Sequence, residues 1–293
     1  MPSVIFCGTP AFAVPSLHAL AEDAAFDVRL VITREDKPVG RTKTPSAPPV
    51  KQAAEKLGIE VFQPMDINAA LPGLLRERPD LTPDFLIVVA YGMILSEETL
   101  ALPKIAPVNL HGSLLPRWRG ASPVEHAIIS NDSETGVTLQ IMSPELDAGP
   151  ILATAAIALD PADTAPLIRE QLAAMGASLL RTTLKEALQP IKQPAEGITY
   201  CRKLSRQDGI VDPASFTAEE IDRRVRAFQP WPGVACTLDG HALKLIETSL
   251  SPVDNAIPLS CKANSTLYLV TVQEAGKKAM SGADWSRGRH TTR

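Results

Sequence analysis

The sequence predicts an α/β protein: a doubly wound, mainly parallel sheet followed by a small, OB-like β-barrel. Three observations predict it. Over the first 190 residues, near-continuous runs of Val, Ile, Leu and Phe alternate with helix-like segments. The composition then changes over residues 189–205, and beyond Pro232 short strand-like pieces recur around an Asp239-Gly240 pair. Continuous apolar runs mark strands of a parallel sheet covered on both faces. Strands alternating with helices wind into right-handed βαβ units.

The segments SVIFC (3–7), DVRLVIT (27–33), IEVF (59–62), DFLIVVA (84–90) and APVNL (106–110) are the predicted strands. VPSLHALAE, PVKQAAEKLG and INAALPGLLRER, between them, are predicted helices. GVTLQIM (136–142) and PILATAAIAL (150–159) lie close enough for a hairpin, and two helices are expected from about Thr164 to Leu188. Residues 1–188 thus make the expected first domain. QPIKQPAEGITYCRKLS (189–205) has two prolines, a glycine and no period, so it is read as a linker to a domain over 206–293. In that domain Thr217 followed by Glu220 fits a helix capping box. Asp239-Gly240 is a hairpin-turn signal.

Hydrophobic residues make up 45% and charged residues 21%, as in globular proteins with sizeable cores. No apolar run approaches the roughly 18 residues of a membrane span, and MPSVIFCG lacks a basic n-region. A cytoplasmic location and no membrane partner are expected. Cys7, Cys201, Cys236 and Cys261 show no ligand spacing, so no metal site is expected. The net charge of −4 is unevenly spread: residues 200–293 hold 13 Lys and Arg against 10 Asp and Glu, and residues 1–199 hold 16 against 23. A mildly basic back is compatible with a polyanion partner there.

The segment NLHGSLLP (109–116) places Asn109 and His111 at the end of the fifth predicted strand. In open α/β sheets ligands bind in the crevice at the carboxyl ends of the strands. Asp147, in ELDAGPI, precedes another strand and can reach the same crevice. An Asn to donate to a developing oxyanion, a His to donate or shuttle a proton and an Asp to orient or accept suit acyl transfer. Neither a G-x-S-x-G elbow nor a nearby cysteine is present, so the nucleophile would belong to the substrate. Spacing alone equally admits a loop-capping Asn, a satisfied half-buried His and a turn Asp. FCGTPAFAVPSL lacks both G-x-G-x-x-G and a Walker lysine, so it is read as a structural first turn.

NLHGSLLPRWRGASPVEHAI together with GVTLQIMSPELDAGPIL resembles the signature of the N10-formyltetrahydrofolate-dependent transferases and hydrolases. IFCGTPAFAVPSLHAL, TREDKPVGR (33–41), VVAYGMIL (88–95), TYCRKLSRQDGIVDP (199–213), VRAFQPWPG (225–233) and AGKKAM (275–280) extend the resemblance over nearly the whole chain. It implies a formyltransferase-like variant of the Rossmann sheet as catalytic domain, and a tRNA-docking barrel behind it. It implies 10-formyltetrahydrofolate as co-substrate, no metal, and the amino group of methionyl initiator tRNA as acceptor, for translation initiation; a monomer is expected. Asn109, His111 and Asp147 match the family's catalytic trio, and Ser113, Leu114, Leu115 and Pro116 match its folate-binding turn. Related members acting on a small amine, or on water, are the alternatives.

REDKPVGRTKTPSAPP (34–49) is long for a connection within a compact domain, and such loops are often functional. By the resemblance it matches a loop that contacts the tRNA acceptor end, with Arg41 as the principal contact beside Lys37 and Lys43. Here Lys43 is followed by Thr44, where the family often has a second lysine. From about Ala235 to Val272 the match is poor and the segment shorter, which puts completeness of the barrel in question.

Overall fold

The protein is described by a computed structural model over residues 1–39 and 44–290. Its first part runs β1 (Ser3–Gly8), α1 (Val14–Ala21), β2 (Asp27–Ile32), β3 (Lys37–Val39), β4 (Thr44–Ser46), α2 (Pro49–Lys56), β5 (Val61–Phe62), α3 (Ile67–Glu77), β6 (Phe85–Val89), α4 (Glu97–Leu100), β7 (Ala106–His111), β8 (Arg119–Gly120), α5 (Pro123–Ile129), β9 (Glu134–Ile141), β10 (Ile151–Ala158) and α6 (Ala165–Thr183). There follow β11 (Tyr200–Cys201), α7 (Ala218–Ala227), β12 (Val234–Leu238), β13 (His241–Ser249), β14 (Ile257–Ser260), β15 (Thr266–Glu274), β16 (Met280–Ser281) and α8 (Gly282–His290).

Seven strands form one sheet in the order β10-β9-β7-β6-β1-β2-β5. The five strands from β7 to the β5 edge are parallel, and β7 pairs with β9 antiparallel. β1 and β6 are buried along their whole length, which is why Val4–Cys7 and Phe85–Val89 are apolar at every position rather than at alternate ones. The chain starts at β1, winds out to β5 and returns to β6 on the other side of β1. That reversal creates the crevice beyond the carboxyl ends of β1, β6 and β7. On one face Ile5, Leu30, Ile32, Leu86 and Val88 pack with Ile67, Leu71 and Leu75 of α3.

The two helices expected between Thr164 and Leu188 are one, α6. Gly176 does not break it. A Cβ there would lie 2.6 Å from Leu110 Cδ2, so the glycine lets α6 approach β7 closely. Leu110 is itself buried and cannot swing aside. Gly176→Val is therefore expected to cost about 1–3 kcal/mol by overpacking. The urea midpoint measures it, and an unchanged midpoint would show that α6 does not depend on this approach.

By packing, the chain divides into Met1–Gly120, Thr135–Ile157 and Arg169–Tyr200 as one compact unit, and Ala121–Glu134, Ala158–Ile168 and Cys201–Arg293 as another. In the second, α7 opens with the Thr217–Glu220 capping box, satisfying two backbone donors reciprocally. Asp239 and Gly240, at φ 50° and 80°, turn β12 into β13 as a primed hairpin requires. β12, β13, β15 and β14 form an antiparallel sheet in that order, with β16 on β15, consistent with a small barrel. Strands thus span the 235–272 segment where the resemblance is weak.

α5 packs against α7, and Arg223 Nε donates to the Ile129 carbonyl at 3.2 Å. The segments 121–134 and 158–168 bring five carboxylates and no Lys or Arg into this unit, so the basic excess of the C-terminal sequence is not a property of the folded unit.

Candidate active site

Asn109 and His111 end β7, and both are buried, at 9% and 6% exposure. Being two apart on a strand, they face the same side of the sheet. Asp147 comes from the connection between β9 and β10, with φ 50° in the left-handed region. The three meet. Asn109 Nδ2 donates to Asp147 Oδ1 at a long 3.4 Å, and His111 Nδ1 lies 3.6 Å from Asp147 Oδ2. His111 Nε2 is 2.8 Å from the Trp118 carbonyl, which can only accept, so Nε2 carries the hydrogen in that contact. Nδ1 is thus the nitrogen turned to the carboxylate.

Asp147 has further partners. Gly120 N donates to Oδ2 at 2.9 Å and Gln140 Nε2 to Oδ1 at 3.1 Å. Gln193 Nε2 donates to the Asp147 carbonyl and to that of Gly149, both at 2.8 Å. Gln193 Oε1 in turn accepts from Arg119 Nη2 at 2.8 Å and Nε at 3.2 Å. Gly149 is dictated by space, since a Cβ there would lie 1.8 Å from the Ile141 carbonyl oxygen.

The sequence alone did not identify Gln140, Gln193 or Arg119. Gln140 carries a signal, a polar side chain inside the apolar run of β9. Gln193 and Arg119 carry none. One stands in an apparent linker and the other in RWRG, whose composition suits a surface patch.

The turn Ser113–Pro116 is built inward. Ser113 Oγ donates to the Arg117 carbonyl at 2.6 Å. Thr138 Oγ1 accepts from Leu115 N at 3.0 Å and donates to the Ser113 carbonyl at 2.7 Å. Leu115 is buried, and Leu114 packs over Gly136, where a Cβ would come within 2.5 Å of its Cδ2. With the Ser113 hydroxyl and Leu115 engaged internally, what this turn has to offer a ligand is its backbone, Pro116 and the half-buried Leu114.

Lys37 is exposed on β3, which pairs with β4. Arg41 and Lys43 lie outside the described residues. Burial pushes the Cys7 thiol up and raises that of Cys236 to about 11, so neither is a thiolate nucleophile at neutral pH. Among the described residues no cluster of three or more His, Cys, Asp or Glu side chains could hold a metal, and no helix is long and apolar enough to cross a membrane.

A buried site holding an amide donor, an imidazole and a carboxylate, without an ionised thiol among the described residues, suits transfer of a small acyl group between two bound molecules. Comparison with known proteins agrees. Residues 1–184 match the formyl transferase family, and residues 203–290 match the formyl transferase C-terminal domain. A methionyl-tRNA formyltransferase of Roseiflexus castenholzii is 42% identical, over 97% of this chain and 95% of its own. In fold the chain resembles an N-formyltransferase of Helicobacter canadensis, solved with folinic acid and dTDP-3-aminofucose, at TM-score 0.67 and 18% identity over 92% of this chain and 99% of that one. A methionyl-tRNA formyltransferase of Clostridium thermocellum superposes at TM-score 0.62 and 14% identity, over 94% of this chain and all of that one, 100%. The chain belongs to the formyl transferase family.

Proposed function

We propose that this protein transfers the formyl group of 10-formyltetrahydrofolate to the amino group of methionyl initiator tRNA. The observation that carries the reading is the meeting of Asn109, His111 and Asp147 in a buried crevice, in a chain about 40% identical from end to end to methionyl-tRNA formyltransferases. Fold likeness does not choose the acceptor, because an enzyme solved with an amino sugar superposes as well as one acting on methionyl-tRNA. Identity over both domains favours the tRNA.

The donor set fits a formyl carbonyl beside an amine: two groups able to donate to an oxygen, and one able to take a proton. The folate co-substrate supplies the formyl carbon and a nitrogen leaving group. Asn109 donates to the oxygen where charge develops, its contact to Asp147 being long enough to exchange. His111 donates there when its Nε2 hydrogen leaves the Trp118 carbonyl. Asp147, turned to both, accepts the proton of the attacking amine directly or through water, and a proton passes to the folate nitrogen as its bond to the formyl carbon breaks. The backbone of Ser113–Pro116 borders the folate position. Release of tetrahydrofolate should require methionyl-tRNA; release at the same rate with water as sole acceptor would make the chain a hydrolase.

We further propose that the enzyme works as a cytoplasmic monomer, with 1–188 as its catalytic domain and 206–293 docking the tRNA. Which cations remain for RNA is a narrower set than the sequence suggests. On α7, Arg226 pairs with Asp222 at 2.9 Å, and Arg224 donates to the Glu220 carbonyl at 2.8 Å and lies over Phe216. With Arg223 also engaged, this helix offers little to a phosphate. A groove of about 310 Å³ does better: Arg206 and Lys244 line it with Ile210, Gly233 and Trp231, and no carboxylate is among its lining residues. Arg206, Lys244 and Trp231 are all exposed.

Arg41, with Lys37 and Lys43 beside it, is assigned to the acceptor end of the tRNA. Arg41→Leu is expected to raise KM for methionyl-tRNA about tenfold with folate binding intact, as for a lost phosphate contact. A matching loss of folate affinity would move the loop to the folate site.

A further inference from the structure

We propose that Arg119 and Gln193 are positioning residues, a buried strut that fixes Asp147 for the reaction; this rests on the role assigned to Asp147 above. Asp147 sits at φ 50°, in the left-handed region that residues with a Cβ adopt at some cost. Its surroundings hold it there from two sides. Gly120 N holds the carboxylate at 2.9 Å, and Gln193 Nε2 holds the carbonyls of Asp147 and Gly149, at 2.8 Å each.

Gln193 suits this post because one amide group both donates and accepts. Its nitrogen grips the loop while its oxygen receives the fork of Arg119 Nε and Nη2. Arg119 is 5% exposed and Gln193 7%, so neither is a solvated surface group. A cation buried to that degree without partners would be costly. Arg119 also donates from Nη1 to Glu145 Oε1 at 3.3 Å, which ties the same loop at a second point. The residue that supplies the guanidinium directly precedes the one whose N–H binds the Asp147 carboxylate. The segment 119–120 therefore fixes the aspartate through both its main chain and its side chain.

Gln193→Met removes donor and acceptor at similar volume. Arg119→Lys keeps the charge and loses the fork, and serves if the first variant folds poorly. Each is measured alone and with Asp147→Asn, for kcat, both KM values and Tm. The strut predicts that Gln193→Met lowers kcat by about tenfold or more, as misplacement of a catalytic group does, and Arg119→Lys by a smaller factor. Both KM values should stay within about threefold, and Tm should stay above the assay temperature. Added to Asp147→Asn, either change should lower kcat no further, since groups acting through one another are not additive. Wild-type kcat in both single variants, or a full additional loss in the double variants, would overturn the strut. Wild-type kcat in Asp147→Asn alone would instead overturn the assignment of Asp147.

Discussion

Asp147→Asn is expected to lower kcat by at least about 100-fold, and His111→Ala by a similar factor. Removing one donor or acceptor at a site of developing charge typically costs on the order of 3 kcal/mol of barrier, which is that factor in rate. The amide that replaces the Asp147 carboxylate would keep the size of the side chain. It would lack the charge and one of the two acceptor oxygens, of which Oδ1 now receives Gln140 Nε2 and Asn109 Nδ2 and Oδ2 receives Gly120 N beside His111. The cost in folding is smaller. One or two hydrogen bonds at about 1 kcal/mol each would move Tm by a few degrees in a chain of this length. Single-turnover formylation separates the two effects, because it reads chemistry on enzyme already folded and loaded. A variant of either residue with near wild-type single-turnover rate would remove that residue from the mechanism.

The second large effect is expected on tRNA. Replacing Arg206 and Lys244 together by Ala should weaken methionyl-tRNA binding by about tenfold or more at low salt. It should also flatten the salt dependence. Each phosphate neutralised by the protein releases condensed counterion, so the slope of log affinity against log salt should fall in magnitude by about one per lost contact. Both side chains are exposed and line one groove without a carboxylate, which is what makes them available to a phosphate backbone. Trp231, 47% exposed in the same groove, offers a base a stacking surface; Trp231→Ala should weaken binding with the salt slope unchanged. Folate affinity should not move in either variant. An unaltered slope for the double replacement would show that the RNA does not reach this groove.

Much of the fold is legible because it rests on local chemistry. The parallel strands announce themselves because both faces of β1 and β6 are buried, which makes Val4–Cys7 and Phe85–Val89 unbroken apolar runs. The start of α7 and the turn at Asp239-Gly240 are legible because backbone donors and positive φ each demand particular residues. The crevice residues at the end of β7 follow from topology in the same way. What was not legible depends on long-range packing. The unbroken α6 needs knowledge that Gly176 faces Leu110. The bonds from Arg223 to the Ile129 carbonyl and from Arg226 to the Asp163 carbonyl, and the joining of 121–134 and 158–168 to the C-terminal unit, depend on partners distant in sequence. Gln193 is the clearest case. It stands 46 residues from Asp147 in a stretch whose prolines and glycine mark a connection, and nothing local says that its amide is buried against the loop that carries Asp147.

The most direct measurement is an acceptor competition. The full chain is incubated with formyl-labelled 10-formyltetrahydrofolate and equal amounts of methionyl initiator tRNA and a nucleotide-linked amino sugar. The label should appear on the methionyl amino group, with little on the sugar and little free formate. Label on the sugar, or release as formate at an undiminished rate without tRNA, would contradict the assignment.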